Sequence, residues 1–359
     1  MKRRYEIVRI CFFIGSMYNG GAERVISILA NHYAEKKWDV DIVLLLDNKI
    51  EYMLDERINI LDFTGSETSY VKNLPFWIKK IRRYLKKIRP DRVVSFIGRI
   101  NALVLMSSVG VDIPIIVSER NDPKNDGRSW IMLKCCSFFY KVKANAIVFQ
   151  TRYQLSCFSA ELHSKSFIAL NPVEVKVNAS KPKGYIISTA GRLTEQKNQS
   201  MLIDAIRYLK EDIPSIEVNI FGEGPLRETL QKKIDNLGLS DRIKLCGNVS
   251  NLHERIKNSR VFILTSEFEG LSNSLIEAMM LGLPCISTDY PGVDEIIKDG
   301  VNGIIIPRKN VKALYEALTM ILSNDNLREN LSREALKTSM VYRPQTVINT
   351  WENIIEKEY

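Results

Sequence analysis

The sequence from Val261 to Met279 reads VFILTSEFEGLSNSLIEAM and contains the clearest fold signal in the chain. Its first four residues are apolar and predict a short buried strand, and its last seven residues predict a helix. A strand that leads through one loop into a helix is the repeating unit of a parallel α/β sheet. The loop then lies at the carboxyl end of the strand, where such sheets bind ligands.

The same alternation of apolar runs and amphipathic stretches extends over the whole chain. Seven strands are predicted in the first half: Ile7–Ile14, Val40–Leu46, Ile58–Asp62, Arg92–Ile97, Ile115–Ser118, Ala146–Phe149 and Phe167–Leu170. Six more are predicted in the second half: 185–190, 216–221, 242–246, 260–264, 283–288 and 303–306. The sequence therefore predicts the α/β class, with two Rossmann-like, doubly wound parallel sheets that face each other across a central cleft.

A stretch rich in Lys, Pro, Asn and Ser, from residue 171 to about residue 184, separates the two series of strands and indicates a linker. We expect one domain over residues 1–178 and a second over residues 179–343. The last residues, 344–359, have an amphipathic helical pattern, and we expect this helix to pack back on the first domain.

The composition is that of a globular protein. Of the 359 residues, 45% are hydrophobic and 26% are charged, which excludes a disordered or fibrous chain. No run approaches the roughly 18 apolar residues of a membrane span. The six cysteines show no metal-ligand spacing, so reduced thiols are predicted. Because Glu6 and Arg9 interrupt the apolar stretch near the N-terminus, we interpret it as a strand, not a secretion signal, and the protein as cytoplasmic.

The positive charge is concentrated in the first half of the chain. The formal net charge is +9, and residues 1–180 carry 28 Lys and Arg against 18 Asp and Glu. The densest segment, residues 77–89, combines an apolar helical stripe with seven basic residues. Such a helix fits an anionic membrane surface, and equally a solvated helix that packs its stripe on a sheet. No nucleic-acid partner is expected, because no recognised binding module accompanies the patch.

Two glutamates lie in the segment quoted first, Glu269 in the loop and Glu277 about one turn inside the predicted helix. The amides that open this helix favour an anion. The carboxylates would repel a phosphate, so they are better suited to accept hydrogen bonds from hydroxyl groups. A nucleotide sugar, with a diphosphate between two sets of hydroxyls, meets both requirements. Helix-capping acids with surface roles would explain the same pattern.

A second loop, residues 191–198 with the sequence GRLTEQKN, directly follows the predicted strand 185–190. Its two cations, Arg192 and Lys197, can neutralise a leaving diphosphate without a metal. An ordinary loop with two exposed cations is the alternative, and it is less favoured beside the glutamate loop.

The loop after the first predicted strand contains the pair Gly20-Gly21. Gly21 and Ala22 stand where a P-loop needs Lys and Ser or Thr, which argues against a P-loop ATPase. Paired glycines let the backbone approach a ligand at a helix N-terminus, and a tight turn explains them equally well. The only Asp-x-Asp, residues 39–41, opens an early strand, where we expect both acids to point to solvent. No functional metal is therefore predicted.

These motifs together resemble the retaining glycosyltransferases of family 4, which have the GT-B architecture. The resemblance spans nearly the whole chain, and bacterial members of this kind build capsule, exopolysaccharide or lipid-linked oligosaccharides. Its most specific element is the Glu-x7-Glu segment with the following Ala278-Met279 and Gly282-Leu283-Pro284. The other matching segments are GGAER at 20–24, GRLTEQK at 191–197, FGEGP at 221–225 and PGVDE at 291–295.

The resemblance implies a role for each matching residue. Arg192 and Lys197 would hold the donor diphosphate, and Glu277 would hold the ribose hydroxyls. The transferred sugar would be held by Glu269 and by the loop residues Gly270, Leu271, Ser272 and Asn273. Stabilisation of the departing diphosphate would be the main catalytic task, with Glu269, Arg192 and Lys197 as the catalytic residues. No cofactor is expected.

The resemblance also implies a base pocket and a set of first-domain residues. The base pocket would be lined by Gly222, Glu223, Val249 and Leu252. Gly21 would approach the donor phosphate, while Asn19 and Gly20 would approach the acceptor. The chain departs from the family after the strand 115–118, where Arg120 stands in place of a histidine that many relatives have. Arg120 either contacts the sugar or phosphate or pairs with a nearby acid, and we place it on the acceptor side.

The predicted activity is retaining, metal-independent transfer of a hexose or N-acetylhexosamine. The donor would be a nucleotide sugar, UDP-linked, and the acceptor a lipid-linked saccharide or oligosaccharide in surface polysaccharide or glycan biosynthesis. We expect a cytoplasmic enzyme bound peripherally to the anionic inner face of the cell membrane. Two alternatives remain at this point: a nucleotide-sugar epimerase of the same shape, and a non-catalytic basic membrane adaptor.

Overall fold

The computed structural model describes residues 7–18, 20–65, 69–178, 180, 182, 184–213 and 215–359. The chain divides into two compact units. The first comprises Met1–Pro172 together with Pro344–Tyr359, and the second comprises Val173–Arg343. The division lies a few residues before the predicted boundary, and Val173 is tied into the second unit by a hydrogen bond from its amide to the carbonyl of Tyr342, at 2.8 Å.

A seven-stranded sheet forms the centre of the first unit. Its strands are β1 (Arg9–Ile14), β2 (Asp39–Leu44), β3 (Asn59–Asp62), β4 (Arg92–Phe96), β5 (Ile115–Ser118), β6 (Ala146–Phe149) and β7 (Ser166–Ile168). They pair in parallel in the order β3-β2-β1-β4-β5-β6-β7. The middle strands are apolar along their length because helices cover both faces of the sheet.

The helices of the first unit form two layers. They are α1 (Gly21–Glu35), α2 (Tyr70–Ile88), α3 (Gly98–Ser107), α4 (Trp130–Lys143), α5 (Arg152–Ser156) and the C-terminal α12 (Pro344–Ile355). One core of buried side chains joins the sheet to α2, α3 and α4. A second core, on the opposite face, joins it to α1 and α12. The ring of Trp351 in α12 stacks on Phe96 with centroids 5.6 Å apart.

The basic segment predicted at residues 77–89 lies almost entirely within α2. Its apolar stripe, including Trp77, Ile81 and Leu85, is buried against the sheet. Lys86 is among the basic side chains that remain exposed. Because the protein itself covers the stripe, α2 presents mainly charge to its surroundings.

A buried ion pair holds the loop between β5 and α4. Nη1 and Nη2 of Arg128 donate to Oε1 and Oε2 of Glu119 at 2.8 and 2.9 Å. Both side chains are 1% exposed. Tyr140 of α4 donates its hydroxyl to Oε1 of Glu119 at 2.5 Å, and Oδ2 of Asp126 lies 2.7 Å from Nε of Arg128. The pair therefore ties α4 to the end of β5.

The two acids at the start of β2 have different surroundings. Asp39 forms an ion pair with Arg9 at 2.6 Å. Asp41 is buried and accepts hydrogen bonds from the hydroxyl of Tyr84 and from Nδ2 of Asn59. The expectation that both acids point to solvent is wrong for Asp41, because a carboxylate that side chains from α2 and β3 satisfy can remain buried.

The second unit repeats the architecture with six strands. They are β8 (Tyr185–Ala190), β9 (Ile216–Phe221), β10 (Ile243–Gly247), β11 (Val261–Leu264), β12 (Cys285–Thr288) and β13 (Ile304–Ile306). All pair in parallel, in the order β10-β9-β8-β11-β12-β13. The helices are α6 (Gln199–Asp212), α7 (Arg227–Asn236), α8 (Leu252–Ile256), α9 (Asn273–Met280), α10 (Val311–Ser323) and α11 (Asp325–Ser339).

The predicted fold class of two doubly wound parallel sheets is confirmed. Each strand that the sequence predicts is present, and its ends differ from the prediction by no more than two residues. Within the part of the chain that the structure describes, no helix combines the length and the apolar character needed to cross a bilayer.

Candidate functional site

Two loops with predicted site residues lie side by side in the second unit. β8 and β11 are neighbours in the sheet, although β9 and β10 separate them along the chain. Strands that follow β8 extend the sheet to one side, and those that follow β11 extend it to the other. Such a switch point opens a crevice at the carboxyl ends of the two strands, where doubly wound sheets bind ligands.

Hydrogen bonds join the loop after β8 to the loop after β11. The amide of Glu267 donates to the carbonyl of Gln196, and Nε2 of Gln196 donates to the carbonyl of Phe268, both at 2.8 Å. The hydroxyl of Thr265 donates to the carbonyl of Lys197, also at 2.8 Å. The two loops therefore act as one support for the side chains that they carry.

Lys197 and Glu269, predicted from separate motifs, are in direct contact. Nζ of Lys197 lies 2.5 Å from Oε1 of Glu269, and the two side chains are 14% and 9% exposed. The hydroxyl of Ser266 donates to the same carboxylate oxygen at 2.6 Å. Arg192 lies on the same loop as Lys197, and its side chain is exposed. The site thus combines a sheltered cation, a carboxylate and a second, accessible cation.

Glu277 is buried in α9, and a histidine from α8 lies beside it. Nε2 of His253 is 3.5 Å from Oε2 of Glu277. His253 lies in α8, and no motif or spacing in the sequence reveals this contact. One signal was present: His253 directly follows Leu252, which was assigned to the base pocket.

The N-terminus of α9 lies in the same loop as Glu269. Ser272 is the residue that precedes the helix, and it is buried. Leu271 is also buried, whereas Gly270 and Asn273 are half-buried. The unpaired amides of a helix N-terminus carry a partial positive charge. This part of the loop is therefore suited to bind an anion beside Lys197.

The base-pocket residues lie at the carboxyl ends of β9 and β10. The amide of Gly222 donates to the carbonyl of Gly247 at 2.8 Å, which brings the two strand ends together. Glu223 forms a partly exposed ion pair with Arg227, at 2.8 Å. Val249 and Leu252 are half-buried in the segment that follows β10.

Gly222 packs directly on the loop that carries Arg192. Its φ is +128°, a conformation that L side chains rarely adopt. A Cβ atom at this position would lie 2.1 Å from the carbonyl oxygen of Gly191, which is a severe clash. The close approach of these two backbones therefore requires glycine.

We expect Gly222→Ala to destabilise the second unit by about 2 kcal/mol or more, because backbone strain and the clash with Gly191 act together. Gly238→Ala is the matched control, since Gly238 also has a positive φ, 62°, but its added Cβ would meet nothing within 4 Å. Urea unfolding of both variants measures the difference. Equal losses of stability would contradict the importance of the clash.

Tyr290, in the loop after β12, was not predicted as a site residue. It is buried, and its hydroxyl has no hydrogen-bond partner among the residues that the structure describes. Burial and the nearby charge of Glu269 raise its pKa far above the usual range. A neutral phenol therefore lies close to the site carboxylate.

In the described ranges, no three His, Cys, Asp or Glu side chains are grouped as metal ligands.

The predicted first-unit residues Gly20 and Gly21 lie at the start of α1. Gly20 precedes α1 and Gly21 begins it. The hydroxyl of Tyr52 donates to the carbonyl of Gly20 at 2.7 Å, which anchors this loop. Asn19, the third residue predicted here, lies outside the described residues.

Arg120, at the end of β5, is a buried cation between two aromatic rings. Its guanidinium carbon lies 5.1 Å from the ring centres of both Phe96 and Trp351. Nη1 donates to Oδ1 of Asn171 at 3.1 Å. Among the described residues, no carboxylate pairs with it, and Nε and Nη2 have no partner. Burial lowers the pKa of Arg120 to about 9. The predicted alternative of a pairing with a nearby acid is therefore wrong.

We expect Arg120→Met to raise the free energy of unfolding by an amount on the order of 1 kcal/mol, because an unpaired buried charge is costly. The guanidinium stays charged in the parent because arginine keeps its proton in proteins, so the variant should be the more stable one at any pH near neutrality. Urea unfolding of the parent and the variant measures this, and a less stable variant would show that the ring contacts outweigh the burial cost.

The chain is similar to known glycosyltransferases in sequence. Residues 172–338 match the sequence model of the family described as Glycosyl transferases group 1. A Campylobacter jejuni enzyme, GalNAc-alpha-(1->4)-GalNAc-alpha-(1->3)-diNAcBac-PP-undecaprenol alpha-1,4-N-acetyl-D-galactosaminyltransferase, is 26% identical over 97% of this chain and 98% of its own length. A second enzyme of that organism, N-acetylgalactosamine-N,N'-diacetylbacillosaminyl-diphospho-undecaprenol 4-alpha-N-acetylgalactosaminyltransferase, is 28% identical over 91% of this chain and 93% of its own.

A solved structure shows the same fold. The crystal structure of Anabaena Alr3699/HepE in complex with UDP has a TM-score of 0.84 and 18% identity, over 97% of this chain and 100% of that one. Together with the two doubly wound sheets, this likeness shows the GT-B fold, and the sequence matches show that the protein is a glycosyltransferase. More particularly, residues 172–338 are similar to the glycosyl transferases group 1 family, and the two Campylobacter enzymes are similar over nearly the whole chain. The epimerase and the non-catalytic adaptor are thereby set aside.

Proposed function

We propose that this glycosyltransferase moves a hexose or N-acetylhexosamine from a UDP-sugar to a lipid-linked saccharide, with retention of configuration and without a metal ion. The contact between Lys197 and Glu269 at the switch point of the second sheet carries the proposal. It is supported by the names of the two Campylobacter relatives, which place their acceptors on diphospho-undecaprenol. The UDP complex of the Anabaena structure supports the choice of nucleotide.

In this proposal the second unit, Val173–Arg343, binds the donor. Lys197, Arg192 and the amides at the start of α9 hold the diphosphate, where negative charge grows as the sugar departs. Preorganised cations and amides stabilise such charge without reorganisation, which is the largest contribution in many enzymes. Two cations on one loop supply the charge that a divalent metal supplies elsewhere.

Glu269 has two tasks in this proposal. Its carboxylate holds Lys197 in place, and it accepts hydrogen bonds from hydroxyls of the transferred sugar. A bound diphosphate competes with Glu269 for Lys197, so donor binding redistributes the hydrogen bonds of the carboxylate. Ser266, which donates to the same oxygen, keeps Glu269 in position during this exchange.

The nucleoside lies towards β9 and β10 in this proposal. Glu277, with His253 beside it, accepts hydrogen bonds from the ribose hydroxyls. Gly222, Glu223, Val249 and Leu252 line the base pocket. In the first unit, Gly21 contacts the donor phosphate, and the acceptor binds near Asn19, Gly20 and Arg120.

A screen of UDP- and GDP-sugars for thermal stabilisation tests the donor. A ligand at 100 times its Kd stabilises the folded state by about 2.7 kcal/mol, so the matching UDP-sugar should raise the Tm by several degrees. The sugar with the largest shift is then incubated with and without a lipid-linked acceptor. Selective binding of a GDP-sugar, or turnover of the donor to an isomer without acceptor, would contradict the proposal.

We also propose that the enzyme works at the cytoplasmic face of the cell membrane. The support is the exposed basic side of α2 and the lipid anchor of the relatives' acceptors. Charge attracts such a surface to anionic lipids at roughly 1 kcal/mol for each basic residue near the headgroups.

A further inference from the structure

Helix α4 in the first unit carries an unusual set of exposed apolar side chains. Trp130, Ile131, Phe138 and Val142 are exposed by 66%, 62%, 59% and 57%. At 3.6 residues per turn these four positions fall on one side of the helix. The opposite side, with Cys136 and Tyr140, is buried against the sheet. The outward side of α4 thus carries four exposed apolar side chains, with Lys134 and Lys141 projecting between Trp130 and Phe138, and we call it the α4 face.

Exposed apolar patches of this kind mark interaction sites, since a monomer gains nothing by exposing them to water. The charge around the α4 face indicates which partner it fits. The sequence of α4, WIMLKCCSFFYKVK, contains three lysines and no acid. Nζ of Lys134 lies 4.7 Å from the ring centre of Trp130, so this lysine places its charge within the α4 face while its aliphatic chain covers part of it. Lys141 is paired with Glu161 from the following 3-10 helix, at 2.5 Å.

The basic side of α2 belongs to the same layer of helices. α2, α3 and α4 cover one face of the sheet, and α3 packs against both of the others. Arg82 of α2 donates to the carbonyl of Ser107 at the end of α3, at 3.2 Å. Nζ of Lys143 of α4 donates to the carbonyl of Val111, in the segment after α3, at 2.7 Å. One layer therefore combines exposed apolar side chains with positive charge among and beside them, the pattern of a surface that lies in a lipid interface.

We propose that the α4 face inserts into the headgroup region of an anionic bilayer, while the basic side of α2 supplies electrostatic attraction. Trp130 anchors at the interface, where an amphipathic ring is favoured, and Ile131, Phe138 and Val142 enter the acyl boundary. This inference rests on the proposed function, because a lipid-linked acceptor is what would require the enzyme to reach the membrane. The evidence for insertion itself is the α4 face. Insertion is assigned to α4, because the apolar stripe of α2 is already buried.

Trp130 provides a direct probe. The other three tryptophans, Trp38, Trp77 and Trp351, are half-buried or buried. Adding vesicles of phosphatidylcholine with phosphatidylglycerol should shift the emission to shorter wavelength, and Trp130→Phe should remove that shift. An emission that is unchanged on vesicles to which the protein binds would overturn the proposal.

Vesicle co-sedimentation of the Ile131→Ser/Phe138→Ser variant gives the second measurement. We expect binding to weaken by roughly tenfold or more, and to stay weak when phosphatidylglycerol is raised, because apolar insertion is lost. Met53→Ser/Val301→Ser is the matched control, since both residues are exposed apolar side chains outside α4, and it should bind as the parent does. Parent-like binding by the α4 variant would refute the insertion.

Two further readouts separate this inference from its rivals. If the α4 face binds another copy of the chain, sedimentation velocity will show self-association that the α4 variant lacks, and vesicles will not shift Trp130. UDP binding, measured by calorimetry, should be equal in the parent and the α4 variant, because none of the proposed donor residues lies in α4. If the parent does not bind UDP, the proposed function is refuted. The vesicle measurements then still test the insertion of the α4 face by themselves.

Discussion

Replacing Lys197 by alanine is expected to lower kcat by about 10²–10³, the usual cost of removing one group that stabilises developing charge. The exposed Arg192 and the α9 amides remain, so some activity should persist. Glu277→Ala should act differently: it removes the acceptor for the ribose hydroxyls and should abolish measurable transfer at donor concentrations that saturate the parent. Initial rates over a range of donor concentrations separate the two effects.

The matched control for Lys197→Ala is Lys233→Ala. Lys233 is also an ion-paired lysine of the second unit, with Nζ 2.6 Å from Oδ2 of Asp204, and it lies in α7 outside the site. Its loss should leave kcat within about twofold of the parent, in line with the small effect of pairs near the surface. Full turnover in both Lys197→Ala and Glu277→Ala, with both variants folded, would remove the donor-site assignment.

The second large effect is on stability. Arg128→Met should destabilise the first unit by about 3–5 kcal/mol, because it leaves Glu119 as an uncompensated buried charge and removes the partner of Asp126. The double variant Arg128→Met/Glu119→Leu should recover part of this loss, since it removes the buried charge of Glu119, while Asp126 stays without its partner. Urea unfolding, with the second unit's transition followed separately, measures both variants.

An exposed pair supplies the control for this prediction. Arg57 and Asp55 form an ion pair at 2.7 Å, and the side chain of Arg57 is 55% exposed. Arg57→Ala should leave stability unchanged, because water solvates the remaining carboxylate. If Arg128→Met/Glu119→Leu is as unstable as Arg128→Met, the uncompensated charge of Glu119 is not the cause of the loss. The hydrogen bonds that Arg128 and Glu119 make would then stabilise the loop themselves.

Much of the fold was predictable because the local signals agree with the tertiary structure. Each strand is a short run of apolar residues between turn signals, and a fully buried parallel strand needs no other pattern. The motif loops were predictable for the same reason, since each directly follows such a run. The prediction that Asp41 points to solvent was wrong, because it considered only the charge of the carboxylate. The hydrogen bonds from Tyr84 and Asn59 that allow its burial come from α2 and β3, which the local sequence does not show.

The candidate site was predictable only in part. Both Lys197 and Glu269 were expected at carboxyl ends of strands, but 72 positions separate them in the chain. Their contact depends on β8 lying next to β11, which is a property of strand order. Likewise, His253 comes beside Glu277 only because α8 and α9 pack together, and no spacing within either helix indicates it.

By itself the sequence determined the α/β class, the positions of the strands, and the cations and acids available at the strand ends. It did not determine which of them meet, because side-chain contacts between distant loops follow from the order of strands in a sheet. It also did not determine which side of α4 is exposed, because that helix is apolar nearly all round. Packing against α3 and the sheet, together with the buried pair of Glu119 and Arg128, decided that Phe138 faces outward and Tyr140 inward.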